Sequence, residues 1–392
     1  MSPWDGTAAD LAGATAELAA AIDALPLVDH HVHGVVRDDV DRAAFEGLIA
    51  ETYHPNPPGV TAFDSQIGFA VRRHCAPVLD LPPLASPEDY LARRADLGSA
   101  EVNRRLMTAS GVSRLLLDTG YRGDEITGLT ETAAVAGQRV EEIVRLEPLA
   151  EEVAAEGVSA AGFAEAFAAR LAERAAGAVG LKSVVAYRYG LDFDPARPGP
   201  DEVVPAAGRW LRAAESGEPL RLADPVLIRH LLWTGVDLGL PLQFHVGFGD
   251  PDLRLHRCNP SLMTDFIEAV QPRDVPILLL HCYPYHREAG YLAQMFPHVY
   301  FDVGEALNYA GARSTEVLAE SLELAPFGKT LYSSDAWGAA ELHHLGAVLW
   351  RRGMAQVLGG WVAAGEWSME DAVRVAAMIG RENAERVYRL AS

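Results

Sequence analysis

The sequence predicts an α/β chain folded as a closed (β/α)8 TIM barrel, on three observations. Short apolar runs bounded by Gly, Pro or Asp alternate with longer Ala/Leu/Glu/Arg-rich stretches, the pattern of parallel strands joined by helical crossovers. Eight such runs fall between residues 27 and 335, which suits a closed barrel better than an open doubly wound sheet. No Gly-x-Gly-x-x-Gly follows any of them, so a dinucleotide-binding sheet is disfavoured.

The predicted strands cover 27–33, 114–119, 142–147, 179–186, 242–246, 277–281, 299–303 and 330–335. Helical stretches at 161–176, 225–238, 260–269, 286–295 and 315–322 separate them. Residues 37–110 are far more than one crossover. Their helix-like parts, 63–73 and 87–97, flank no strand and follow a Pro-rich stretch, His54-Pro55-Asn56-Pro57-Pro58. They read as a helical insertion in the first strand-to-helix loop, on the rim where barrel enzymes keep their sites. Residues 368–390 read as a C-terminal helix opened by the Ser368-x-x-Asp371 box. The whole of 1–392 is expected to be one domain.

Composition narrows the partners. Thirty-three Lys+Arg against 54 Asp+Glu give a net charge of −21. That lacks the basic footprint nucleic acid or an anionic membrane would need, and leaves a small molecule as the expected partner. The N-terminus, MSPWDGTAADLAGATAEL, has no basic region and reads as an amphipathic helix rather than a leader. No run of ~18 apolar residues suggests a membrane span. Cys75, Cys258 and Cys282 are too few and too scattered for a disulfide framework, so a reducing, cytoplasmic setting is expected. Cys282 follows His281 and invites a nucleophile reading, but a small buried residue is the simpler one. A homodimer through the insertion is compatible with the sequence, though no motif specifies it.

Four of the eight runs end on a metal-binding side chain: LVDHHVH on His31 and His33, PLQFHV on His245, ILLLHC on His281, and TLYSSDAW on Asp335. Singly, each has a plain structural reading: a hydrogen-bonded core histidine, or for Asp335 a helix cap. Jointly they place ligand types at the same end of four strands, which points to one metal site. Strict alternation puts Asp29, His31 and His33 on the inner face and sends His30 outward under the helices. A set of imidazole and carboxylate ligands without thiolate suits a divalent ion, Zn²⁺ first, with Mn²⁺ or Fe²⁺ as alternatives. Lys182, in GLKSVV, is costly to bury unless paired. It reads as a substrate contact or a support for the site, with a carbamylated, ion-bridging form as an alternative.

The order His-x-His, Lys, His, His, Asp on strands 1, 4, 5, 6 and 8 resembles the amidohydrolase superfamily over nearly the whole chain. The strings His281-Cys-Tyr-Pro-Tyr-His-Arg-Glu-Ala-Gly-Tyr, Val299-Tyr-Phe-Asp-Val-Gly and Leu331-Tyr-Ser-Ser-Asp-Ala-Trp-Gly are similar to the FluG-type amidohydrolases. In some proteins that domain is fused to a glutamine-synthetase-like partner, and no such segment is expected within these 392 residues. The resemblance implies a metal-dependent barrel with His31, His33 and His245 as ligands and Asp335 as ligand and base. His281 is implied as a further ligand or a proton and charge partner.

The expected reaction is hydrolysis of an amide or related C–N bond by ion-activated water. Asp335 would move the proton and His281 would steady the carbonyl oxygen. Arg188, Arg254, Arg257 and Arg287 follow strands 4 to 6, as does Tyr283, and would suit a substrate carboxylate at the rim. Glu305 and Asn308, after strand 7, are placed to meet an amine. The resemblance adds γ-glutamyl amides as a substrate class. Two other readings stand beside this one: non-oxidative decarboxylation of an aromatic or unsaturated acid on a similar barrel, and a barrel that only binds.

Overall fold

The computed structural model describes residues 8–391. Seven parallel strands pair in chain order: β1 (Leu27–Val32), β2 (Val112–Asp118), β3 (Arg139–Arg145), β4 (Ala178–Ser183), β5 (Leu242–Val246), β6 (Ile277–His281) and β7 (Val299–Phe301). The expected eighth strand is an extended segment rather than a regular strand, and it still closes the ring. Leu331 N–H donates to the Phe301 carbonyl at 3.0 Å on one side. On the other, His30 N–H donates to Tyr332 and Asp335 N–H to His31, both at 3.2 Å. Its ladder is incomplete because the Asp29 carboxylate takes the Ser334 N–H at 3.0 Å. The fold is a (β/α)8 barrel.

Strand positions agree with the sequence reading within two residues except at β4, which ends at Ser183 because Val185–Arg188 turns into a short helix, and at β3, which begins three residues earlier. Its opening, Arg-Val-Glu-Glu, is partly exposed, so an apolar-run criterion passes over it, and Leu146 already starts the next helix. Helices Pro225–Leu238 and His286–Met295 lie where expected, whereas 260–269 divides into a 3-10 turn and a short helix. The N-terminal helix is Ala8–Asp23; the earlier residues of that expectation lie outside the described ones. No helix among the described residues is long and apolar enough to cross a membrane.

One face of each strand fills the barrel. Val28, Leu116, Ile143, Leu278, Leu280 and Leu331 form a single apolar cluster with Ala384, Val387 and Tyr388. The C-terminal segment therefore plugs the barrel floor. It is not one helix but two, Met369–Ala377 and Asn383–Val387, joined by a π-helical turn at Met378–Glu382. Ser368 caps its start by accepting the Asp371 N–H at 3.0 Å.

Between β1 and β2 the chain forms helices Arg42–Leu48, Gln66–His74, Pro87–Leu97 and Ser99–Ala109. Ser86 accepts the Asp89 N–H, Pro87 sits at the first helical position, and Glu88 and Asp89 face the helix dipole, so the third of these is strongly signalled. Phe45, Phe63 and Tyr90 pack together beneath them, with ring centroids 5.7–6.5 Å apart. The segment is fastened to the long helix Ala340–Ala363 by a buried pair, Arg94 Nε to Glu341 Oε1 at 2.8 Å, to which the Tyr90 hydroxyl donates at 2.9 Å. Glu341→Ala strands a buried guanidinium and should cost about 3–5 kcal/mol in denaturant unfolding. A loss under about 1 kcal/mol would show that the fastening lies elsewhere.

Candidate metal centre

A bulge in β1 sets the site. Asp29 pairs with Leu115 and Val32 with Leu117, so three residues of β1 oppose two of β2. Val28 points into the barrel before the bulge and Val32 into the outer core after it, which turns both His30 and His31 inward. This corrects the alternation argument. His30 is not under the helices: its Nε2 lies 3.1 Å from Asp302 and its Nδ1 3.0 Å from the Tyr388 hydroxyl. Asp29 leaves the inner face and holds the Ser334 N–H instead.

Around the C-terminal ends of the strands, four imidazoles and a carboxylate converge. Asp335 Oδ1 lies 3.2 Å from His31 Nε2 and 3.7 Å from His33 Nε2, and Oδ2 lies 3.5 Å from His281 Nε2. The His245 and His281 rings are 4.8 Å apart. Atoms of His31, His281 and Asp335 all fall within 4.8 Å of one another, a separation one ion can bridge. His281 and Asp335 sit at φ 69° and 49°, left-handed conformations that side chains rarely adopt and that cluster at functional sites. Gly249 allows the close approach of the next loop, since a Cβ there would lie 2.8 Å from His245 Nε2 and collide with the Tyr187 hydroxyl.

The donor set fits a cation. Burial, reinforced by neighbouring charges such as Lys182, holds His31, His245 and His281 well below the ordinary imidazole range, and burial takes His33 down to about 3. All four are neutral at pH 7 with lone pairs to give. His33 Nδ1–H donates to the Asp118 carbonyl at 3.1 Å, which leaves Nε2 bare. The buried His245 Nε2 and both His281 ring nitrogens have no hydrogen-bond partner, a costly arrangement in a dry interior unless something accepts them. Burial pushes the Asp335 carboxyl well up against the pull of Lys182. Lys182 itself, fully buried with its Nζ 3.2 Å from His31 Nε2, is lowered to about 8.

Beneath the cluster runs a polar chain that sequence reasoning missed. Gln243 Oε1 accepts from His31 Nδ1–H at 2.9 Å, and its amide NH2 donates to the Tyr388 hydroxyl at 2.7 Å and the His30 carbonyl at 2.9 Å. Tyr388, having accepted that bond, gives its proton to His30 Nδ1, and His30 Nε2–H donates to Asp302. Asp302 accepts further bonds from the backbone of His281 and Gly304 and from Ser333. Burial would raise its carboxyl; these hydrogen bonds outweigh burial and hold it below its usual value. The direction of every bond fixes His31 as the tautomer whose Nε2 faces the cluster.

A cavity of about 360 Å³ opens above the cluster. His33, His245, His281, Asp335, Lys182, Arg188 and Asn308 line it, so seven of the expected site residues meet there, while His31 lies just below. Arg188 is already paired with Glu151 at 2.8 Å. Arg254, Tyr283 and Arg287 do not line the cavity: Arg254 is exposed, Tyr283 stacks on His286, and Arg287 pairs with Glu323 at the surface. Their position just after a strand was a poor guide, because within one loop some side chains, such as Asp250, face the cavity and others, such as Arg254, face solvent. Glu305 is buried close to Glu51, Asp250 and Asp335. The Cys282 Sγ lies 3.1 Å from the Leu279 carbonyl, and burial drives its thiol well up, as for a packing residue.

If the Gln243–Tyr388 chain orients His31, Tyr388→Phe should weaken divalent-ion affinity about 10–100-fold with the fold retained. Competition against a chromophoric chelator measures this, and unchanged affinity would reduce Tyr388 to a floor plug.

Comparison with known proteins identifies the family and the fold. The chain is 28% identical to protein fluG of Emericella nidulans, over 93% of this chain and 46% of that protein, so it spans about half of that relative's length. A Lactobacillus casei structure assigned as a metal-dependent hydrolase superposes with a TM-score of 0.83 at 30% identity, covering 95% of this chain and 97% of the other. A uronate isomerase from Bacillus halodurans, at 16% identity and TM-score 0.64 over 97% of each chain, shares the fold. The amidohydrolase family model matches residues 28–390. The chain belongs to the amidohydrolase family, a family of metal-dependent enzymes.

Proposed function

We propose that this enzyme hydrolyses an amide or related C–N bond of a small substrate, with a γ-glutamyl amide as the working class. The observation that carries the reading is the convergence of neutral imidazoles and one carboxylate, with unpartnered ring nitrogens, at the floor of a cavity sized for a small molecule. His31, His33, His245 and Asp335 would hold a divalent ion, Zn²⁺ first for this nitrogen-rich set, with Mn²⁺ or Fe²⁺ as alternatives. When bound, such an ion supplies a water acidified to near neutral pH and polarises a carbonyl.

The chain's own groups do the rest. Asp335, whose buried carboxyl favours a proton, takes one from the attacking water and returns it to the departing nitrogen, so that amide and water become carboxylate and amine. His281, neutral and 3.5 Å from Asp335, is placed to steady the carbonyl oxygen as it gains charge. Lys182 Nζ reaches the cavity beside His31 and supplies positive charge against which a substrate carboxylate can settle.

Asp335→Asn should lower turnover by about 10²–10⁴-fold with the fold intact; a variant of near-normal activity would remove its assigned role. Chelation should abolish hydrolysis, and Zn²⁺ or Mn²⁺ should restore it. Amine release from a panel of γ-glutamyl amides supports the hydrolytic reading. Carbon dioxide release from unsaturated acids, with no amide cleaved, would replace it with decarboxylation.

A further inference from the structure

One wall of the cavity carries carboxyl groups that no cation of the protein pairs among the described residues: Glu51 and Asp250 line it, and Glu305 is buried close to them. Glu51, Asp250 and Glu305 come from the insertion, the loop after β5 and the helix Gly304–Ala310, and they act on one another electrostatically. None is ion-paired among the described residues. Glu51 and Asp250 hydrogen-bond each other, which requires a shared proton, and their other close partners are phenols: the Tyr309 hydroxyl donates to Glu51 at 2.9 Å, and the hydroxyls of Tyr121, at 3.3 Å, and Tyr53 donate to Asp250. Glu305 is 3% exposed, and its Oε2 has no partner at all. The cations on the same walls are spoken for, Arg145 by Asp118, Arg188 by Glu151 and Arg221 by Asp252, at 2.6–2.8 Å.

We infer that this wall binds an organic cation, a primary alkylammonium group carried by the substrate away from the bond that is cleaved. The substrate class rests on the hydrolytic reading above; the cation site does not. Buried carboxylates without counter-ions are costly and, in a low-dielectric cleft, focus a field that draws positive charge. Burial and the Asp250 charge push Glu51 up to about 8, as expected of acids that must share protons until a cation arrives. The aromatic lining decides the kind of cation. Tyr53, Tyr187 and Tyr309 stand around the carboxylates, and phenol faces suit an alkylammonium with its apolar stem. A hard metal ion would instead demand bare oxygens and water. The wall adjoins the reactive cluster: the Tyr187 ring lies 4.5 Å from that of His245, and Tyr121 5.6 Å from His33. One small molecule can therefore reach both.

Calorimetry on the metal-loaded enzyme, with butylammonium and butan-1-ol as matched probes, tests the site without requiring turnover. Butylammonium should bind at least ~10-fold tighter than the alcohol, and Glu51→Gln and Asp250→Asn should each remove most of that preference. Equal binding of the two probes, or variants that both keep the wild-type preference, would overturn the assignment. So would a second equivalent of divalent ion bound by the wild type and lost in both variants, which would make the wall a metal site. Selective butylammonium binding with no cleavage of any amide would sink the hydrolytic reading and leave the cation site standing. Where amides are cleaved, kcat/KM for the 4-aminobutyl amide of glutamate should exceed that for its pentyl amide by a similar factor. Equality there would overturn the substrate class.

Discussion

The site depends on one extra residue in one strand. Without the bulge between Asp29 and Val32, period-2 alternation would leave only one of two adjacent histidines inside the barrel. With it, His31 joins the proposed ligands and His30 passes below them to Asp302 and Tyr388. The rest follows from having two imidazoles side by side in a dry interior. Each must have its ring nitrogens accounted for, and Gln243, Asp302 and Tyr388 do that accounting from three other parts of the chain.

Much of this was legible beforehand, for a physical reason. A buried apolar strand that ends on His or Asp advertises itself, since such side chains are expensive in a core, and four of them at one end of a barrel leave few other readings. The barrel was legible for the same reason, through the beat of apolar runs and helices. The bulge was not, because nothing in Asp-His-His-Val-His distinguishes regular alternation from a slip of one. Nor were the loop residues. Arg287 lies nearly as close in sequence to a strand end as Arg188 does, and only loop geometry decides which side chain turns inward.

Charge compensation separates the two sides of the cavity. At Arg145, Arg188 and Arg221 every cation has its own carboxylate, which fixes the walls and leaves little to offer a ligand. At Glu51 and Asp250 the carboxyl groups meet phenols and each other, and Glu305 is buried close to both and to Asp335. A chain with a net charge of −21 can carry this excess over its surface cheaply, where water screens it. In a half-buried wall the same excess is available to whatever enters.

The hydrogen bond between His30 and Tyr388 spans 358 positions, and the one between His31 and Gln243 spans 212. Contacts so distant cannot form until the intervening strands have found their places, because loop closure must come first. An incompletely folded chain therefore offers only a loose pair of imidazoles on one strand. It has neither the opposing carboxylate nor the oriented ring nitrogen, and holds a stray transition metal weakly. The proposed metal site thus comes into being only with the finished barrel.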